Sequence, residues 1–233
     1  MADYVLVHGA WHGAWCWNRV LPALWRAGHR AFAVSLTGTG EKAHLLSPAI
    51  RLHTHVQDVV AAIEAEELAD CILVGHSYGG MAITGAAELC GERIGQLVYL
   101  DAMVPLDGEC WSSSHDEATR ASRRAAIAQQ GALPPPDPAV FGLAGEDAAW
   151  VQRRQRPHPG GVYDDPLQFD AARWASFPRT FIDCVKPPLA TIAESRRRVR
   201  TQPGWTLHTL QTGHDPMVSA PGELTALLLG LAA

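Results

Sequence analysis

Charge is scarce in this chain of 233 residues: Asp, Glu, Lys and Arg together make up 18% of it. Positive charge is the scarcer sign, with 19 Lys and Arg against 24 Asp and Glu and a net charge of −5. A nucleic-acid-binding domain needs a basic footprint, so no nucleic acid is expected as a partner. The one dense basic run, Arg196-Arg197-Arg198 with Arg200, is short and reads as a solvated helix face. Long apolar runs are missing too. No segment approaches the ~20 apolar residues of a membrane-spanning helix, so no membrane partner is expected. The chain from Met1 runs straight into a strand-like segment rather than a leader. Only five cysteines occur (Cys16, Cys71, Cys90, Cys110, Cys184), an odd number without a CxxC pair. That set fits reduced thiols in a cytoplasmic protein better than a disulfide framework or a zinc site.

Cofactor signatures are equally thin. There is no Walker A lysine loop and no HExxH, and scattered histidines without spaced partners do not make a metal site. Gly38-Thr-Gly-Glu-Lys-Ala43 approximates a dinucleotide fingerprint, but Ser47-Pro48 breaks the helix that must follow it. No cofactor and no metal are expected.

What the chain does have is apolar content, 47% of residues, with eight Trp, eleven His and sixteen Pro. That length and composition suit one domain with a large core. Short β-rich runs alternate with helical spacing. Tyr4–Val7, Ala31–Leu36, Cys71–Val74 and Leu97–Leu100 read as strands. Trp15–Ala27 reads as a helix capped by Gly28, with Leu52–Leu68 and Gly79–Cys90 as two more. The alternation resumes with strands Thr180–Cys184 and Trp205–Leu210 and helices around Leu189–Val199 and Ala220–Leu229. Strands separated by helices imply a parallel sheet with helices on both faces. Between these halves, residues 105–178 are rich in Pro, Arg, Ala and Gln and show no strand pattern. Trp111, Phe141, Trp150, Phe169 and Trp174 make this stretch too apolar for a solvated tether. It is expected as a helical cap, with 1–104 and 179–233 as the core.

Three motifs carry chemistry. Gly75-His76-Ser77-Tyr78-Gly79-Gly80 lies between a strand and a helix, the context in which GxSxG forms a sharp turn that lifts a nucleophilic serine. His8-Gly9-Ala10-Trp11 follows the first strand. Its Ala10 N–H, with that of Tyr78, suits an oxyanion hole, which needs two backbone donors aimed at one developing charge. Gly213-His214-Asp215 follows the last strand, and His214 is the base that a serine requires. Trp11 and His8, beside the oxyanion loop, are the candidate pocket residues. His53 and His55 read as solvent-facing, and His76 as pointing away from Ser77.

With VLVHGAWHGAWCW, GHSYGG, LVYLDAMVP and TGHDPMVSAP in place, the chain resembles small α/β-hydrolases along nearly its whole length. The group holds plant methyl-ester esterases and hydroxynitrile lyases. The resemblance is strongest to the bacterial branch with pyrethroid and carbamate hydrolases, in which stretches like TGTGEKAHL and IEAEEL recur. It implies an α/β fold with a six-stranded, mainly parallel sheet, and a catalytic triad of Ser77, His214 and an acid. In the plant enzymes the acid follows the next-to-last strand, but here Phe181–Pro188 offers no carboxylate past the strand end. Asp101 directly follows a neighbouring strand, where the related haloalkane dehalogenases carry an acid. Asp101 is therefore preferred, with Asp183 as runner-up and Asp215 disfavoured by its position next to His214.

The implied activity is serine carboxylic-ester hydrolysis through an acyl-enzyme, on a small-to-medium apolar or aromatic ester. Carbamate or amide hydrolysis on the same triad is an alternative. Hydroxynitrile lyase chemistry is disfavoured, since those lyases carry Thr at the Gly9 position and Lys at the Asp215 position. A hydrolase-fold receptor is the reading from a different class. The partner is a small-molecule ester, and a homodimer is the candidate assembly.

Overall fold

The computed structural model describes residues 1–232. In chain order the elements are β1 (Asp3–Val7), α1 (Leu21–Arg26), β2 (Arg30–Val34), α2 (Leu52–Ala65), β3 (Cys71–His76), α3 (Gly79–Cys90) and β4 (Ile94–Leu100). An insertion follows, with α4 (Glu117–Gln130), β5 (Ala132–Leu133), α5 (Gly145–Arg154), β6 (His158–Pro159) and α6 (Ala171–Ala175). The chain closes with β7 (Arg179–Cys184), α7 (Ala193–Thr201), β8 (Trp205–Leu210), α8 (Pro216–Ser219) and α9 (Pro221–Gly230).

One six-stranded sheet runs in the order β2-β1-β3-β4-β7-β8. Every neighbouring pair is parallel. In an all-parallel sheet the strand ends that finish a βα unit lie along one edge, and ligand sites form there. Here that edge receives Val7, His76, Leu100, Cys184 and Leu210. The centre is the most apolar part: all six residues of β3 are buried, while β8 at the edge is mostly open. Helix α1 packs against α9, and α2 against α3. Tyr4 at the base of β1 donates its hydroxyl to the Leu228 carbonyl of α9 at 2.7 Å, which pins the last helix to the sheet.

The first helix differs from its expected span. Ala14–Trp17 is a separate 3₁₀ turn, and α1 begins only at Leu21. Pro22 is the reason: proline lacks an N–H and clashes with the preceding turn, so it is accommodated in the first turn of a helix. The end is as expected, since the Gly28 and His29 N–H groups close back onto the Trp25 and Leu24 carbonyls. The insertion also contains more than helices: β5 and β6 form a short antiparallel pair. Among the described residues no helix is long and apolar enough to cross a membrane.

Helix α3 leaves β3 so closely under the insertion's first residues that position 80 tolerates no side chain. A β-carbon there would lie 2.0 Å from the Met103 carbonyl oxygen. Gly80→Ala is expected to destabilise the fold by about 2 kcal/mol or more, because backbone must move to admit the methyl group. Equilibrium denaturation checks this; an unchanged midpoint would mean that the segment after β4 is not fixed against α3.

Candidate active site

Three non-glycine residues at the sheet's functional edge have left-handed backbone: Trp11 (φ +65°), Ser77 (φ +53°) and Asp101 (φ +40°). Each follows a different strand, and side chains seldom adopt this region unless the surroundings hold them there. Ser77 is held by three backbone bonds. Its N–H donates to the Leu100 carbonyl at 3.2 Å, and its own carbonyl accepts from Gly80 at 3.1 Å and Met103 at 3.0 Å. Asp101 donates its N–H to the Ile182 carbonyl of β7 at 2.8 Å.

The two candidate acids differ in what they bind. His214 Nδ1 donates to Asp101 Oδ2 at 2.7 Å, with the two side chains 2% and 0% exposed. The bond places the proton on Nδ1 and leaves Nε2 as the basic nitrogen. Asp183 makes no bond to His214. It lies within β7, and its carboxylate is taken by Arg196 Nε and Arg200 Nη2, both at 2.5 Å.

Arg196 overturns the reading of its run as a solvated face. It is buried, and it bridges the two acids: Nη2 donates to Asp101 Oδ1 at 2.6 Å while Nε donates to Asp183. Its remaining donors reach the Leu189 carbonyl at 2.6 Å and the Cys184 carbonyl at 3.2 Å. Burial lowers the guanidinium pKa, but Asp101 and Asp183 outweigh it, so the net direction is up. Arg198 is bound as well, to Glu109 and the Val104 carbonyl. Only Arg197 and Arg200 of the run face solvent. The signal was present in the sequence: Arg196 stands four residues after Ile192 and three before Val199, on their buried helix face.

The loop after β1 comes against the serine. A β-carbon at Gly9 would sit 2.7 Å from Ser77 Cβ, so only glycine allows this approach. Ala10 and Tyr78 are both buried, and among the described residues neither N–H has a backbone or side-chain acceptor. Buried backbone donors without partners are rare, and two beside a strained serine suit an oxyanion.

Histidines hold this loop. His8 does not line the pocket, contrary to expectation. It is fully buried, with Nδ1 donating to the Gly9 carbonyl at 2.7 Å and Nε2 accepting the Leu36 N–H at 3.1 Å. The Gly9 carbonyl shares a peptide plane with the Ala10 N–H, so His8 fixes the direction of that donor. His12 donates Nδ1–H to the Ala10 carbonyl at 2.8 Å and Nε2–H to Asp215 Oδ2 at 3.1 Å. Burial pulls its pKa down, but the charge of Asp215 and these hydrogen bonds reverse the shift, so His12 is raised. Asp215, pushed up by burial and more strongly down by His12, falls to about 2. His55 is buried rather than solvent-facing: it donates to the Thr37 carbonyl and accepts the Tyr78 hydroxyl at 3.0 Å. His76 does turn from Ser77 to a bond of its own, Nε2 to the His214 carbonyl at 2.8 Å. His76, His214 and Asp215 bring potential metal-ligand atoms within 4.8 Å of one another. One atom of each is committed, to the His214 carbonyl, Asp101 and His12 respectively, while His76 Nδ1 and Asp215 Oδ1 have no hydrogen-bond partner among the described residues.

Ser77 and His214 open into one cavity. Trp11 lines it, packed against Trp111 and Phe141 from the insertion with ring centroids 5.7 and 6.2 Å away. The Trp11 backbone and ring are bonded into the insertion: Nε1 donates to the Leu133 carbonyl at 3.1 Å, and the Trp11 carbonyl accepts from Arg156 at 3.0 Å. Arg123 of α4 and His115 also line the cavity, and neither was singled out from the sequence.

A model of the alpha/beta hydrolase family matches residues 4–227. The chain belongs to that family. It is 39% identical to a carbendazim hydrolyzing esterase of Nocardioides sp. (strain SG-4G), over 99% of this chain and 100% of that one. It is 28% identical to methylesterase 3 of Arabidopsis thaliana, over 98% of this chain and 95% of the relative. In structure it is similar to an extracellular alpha/beta-hydrolase from a Paenibacillus species, with a TM-score of 0.86 at 19% identity, over 99% and 98% of the two chains. As an alpha/beta hydrolase with esterases among its full-length relatives, the protein is an esterase-type hydrolase.

If Asp101 orients this hydrolase's base, Asp101→Asn lowers kcat by about 10⁴-fold, the loss seen for the equivalent change in serine proteases. A greater loss in Asp183→Asn than in Asp101→Asn, measured on one ester, would reverse the assignment.

The buried histidines set a pH dependence of stability. Burial lowers His8 from 6.5 to about 3, and His55 and His115 to about 4. A lowered pKa means the unfolded chain takes up protons first, so this stability is complete above pH 6.5 and lost as pH falls towards 4. His12, with its raised pKa, works in the opposite sense and loses its contribution as pH rises through its folded value. At about 1.4 kcal/mol per pKa unit, His55 alone accounts for on the order of 3 kcal/mol. Thermal unfolding is expected to shift to markedly lower temperature between pH 7 and pH 5; a Tm that is level across that range would contradict the neutral, buried state of these rings.

Proposed function

We propose that the protein is a serine carboxylic-ester hydrolase using Ser77, His214 and Asp101, acting on a small-to-medium apolar or aromatic ester. The observation that carries the reading is the buried Asp101–His214 hydrogen bond at the rim of a cavity shared with a backbone-strained Ser77. In the acylation step Ser77 Oγ bonds to the ester carbonyl carbon as its proton passes to His214 Nε2. Asp101 holds the imidazolium that forms, and the Ala10 and Tyr78 N–H groups receive the oxyanion. Collapse of the tetrahedral species expels the alcohol, which takes the proton from His214. Water then repeats the sequence on the acyl-enzyme and releases the acid. Among the described residues no hydrogen bond joins Ser77 Oγ to His214, and the two are expected to close on one another when substrate binds, as such pairs commonly do.

Residues 105–178 act as the cap, since Trp111, Arg123 and Phe141 of that segment line the cavity. Their aromatic faces with Trp11 support an apolar or aromatic substrate. Carbamate hydrolysis is the second reading. The same tetrahedral oxyanion serves it, and the full-length Nocardioides relative carries the name carbendazim hydrolyzing esterase. Hydroxynitrile lyase chemistry is disfavoured by Gly9, where a β-carbon would collide with Ser77, and by Asp215, whose carboxylate is bound to His12. The five cysteines are free thiols, which supports a reducing compartment, and we place the protein in the cytoplasm. A homodimer is the proposed assembly, to be read by sedimentation.

With aryl, alkyl and carbamate esters, Ser77→Ala is expected to lose about 10⁵- to 10⁶-fold in kcat. A nitrophenyl ester should give a burst of one equivalent of nitrophenol per active site. Turnover that survives in Ser77→Ala, or no turnover of any of these esters, would overturn the proposal.

A further inference from the structure

The cavity that holds Ser77 and His214 carries a positive charge for which the acyl-transfer steps have no use. Helix α4 bears three arginines close together. Arg120 is bonded to Glu117 and the His115 carbonyl, and Arg124 forks onto Asp164 with two bonds of 3.0 Å. Arg123, between them in sequence, is the one that lines the cavity. Among the described residues no carboxylate pairs with it, and its buried Nη1 has no hydrogen-bond partner. Aromatic rings surround the guanidinium instead, with centroids of Trp111, Trp11 and Tyr163 at 5.1, 5.6 and 5.7 Å. Burial pulls its pKa down, and the neighbouring Tyr163 hydroxyl offsets part of that. Arginine nevertheless stays protonated in proteins.

A half-buried cation without an anionic partner is a costly thing to hold. Ring faces stabilise its charge and the Tyr163 hydroxyl engages part of the guanidinium, but Nη1 has no acceptor, and that donor is left for something that enters the cavity. The other basic groups facing the cavity do not compete for an anion. His115 is pushed by burial to about 4 and is neutral at pH 7, and His214 Nδ1 is taken by Asp101.

We infer that Arg123 anchors a carboxylate of the substrate, so that the site selects esters bearing an anionic group away from the reacting carbonyl. The flat faces of Trp11, Trp111 and Phe141 fit an aromatic ring between the two ends. This rests on the hydrolase reading above for the reacting end, but the anchor itself can be measured without turnover.

The test uses matched acetates: 3- and 4-acetoxybenzoate as anions, and 3- and 4-acetoxybenzamide as their neutral counterparts. The wild type is expected to prefer at least one of the two benzoates over its amide in kcat/KM by on the order of 10- to 100-fold, the worth of a charge-assisted fork. Arg123→Met should bring that ratio to about one, and Arg123→Lys, which keeps the charge but not the fork, should fall between. In parallel, calorimetry measures 3- and 4-hydroxybenzoate binding to the wild type, Arg123→Met and Arg123→Gln, so that one misfolded variant does not decide the outcome. Binding that depends on Arg123 supports the anchor even if no ester is turned over, in which case the hydrolase reading alone fails. Turnover without anion preference, or a preference and binding that survive in Arg123→Met and Arg123→Gln, overturns the anchor and leaves the hydrolase reading standing.

Discussion

A carboxylate with no solvent contact needs donors and positive charge from its surroundings, and Asp101 takes both from Arg196. One oxygen accepts from Arg196 at 2.6 Å, and the other is thereby kept for His214 at 2.7 Å. The same guanidinium binds Asp183 on the adjoining strand, so one cation spans two strand ends. Removing that cation would leave two acids facing one another across a buried gap. The preference for an acid just past β4 over one within β7 thus has a physical counterpart. Asp183 is committed to Arg196 and Arg200, and the arginine it holds is the one that orders Asp101. The helix that delivers Arg196, α7, is therefore part of the site without contacting the reacting atoms.

A second buried ion pair performs a comparable task on the other side of the serine. His12 clamps the Ala10 carbonyl while bound to Asp215, one residue beyond the base. The loop after β1 and the loop after β8 are thereby joined through side chains, although the two strands are not sheet neighbours. His76 adds a bond from the elbow to the His214 carbonyl. Strained backbone at Trp11, Ser77 and Asp101 persists because these cross-links over-determine it. Strain of this kind stores no catalytic energy by itself, but it keeps the donors and the nucleophile aimed without reorganisation.

The six-stranded parallel sheet and the candidate serine, histidine and acid could be read because each rests on local pattern: an apolar run, a glycine-bounded turn, a residue just past a strand end. Asp101 was preferred over Asp183 on that last criterion together with the resemblance to haloalkane dehalogenases. What escaped reading has the opposite character. His8 and His55 became structural because partners 28 and 18 residues away, Leu36 and Thr37, offer backbone groups to their rings. Arg196 looked solvated because composition dominates a run of four arginines, while its burial depends on a helix phase read from Ile192 and Val199. The broken first helix turned on one proline. Arg123 had no sequence signal, since nothing local distinguishes it from Arg120 and Arg124; only the tertiary fold decides which of the three lacks an acid.

The division of labour between sheet and insertion is less clean than the sequence boundary suggests. Trp11 belongs to the oxyanion loop, yet its ring donates to Leu133 in β5, its N–H to His158 in β6 at 3.4 Å, and its carbonyl accepts from Arg156. These three bonds join the β5–β6 side of the insertion to the peptide that follows the Ala10 donor. A displacement of that side would tilt the oxyanion donor as well as widen the cavity. Helix α4 reaches the same place differently: Arg123 meets Trp11 and Trp111 only through ring faces, with no bond that fixes a single geometry. Cation–ring contacts tolerate shifts that hydrogen bonds do not. Adaptation to a substrate is therefore expected in the Arg123 side chain, while a shift of the β5–β6 side also moves the peptide that follows Ala10.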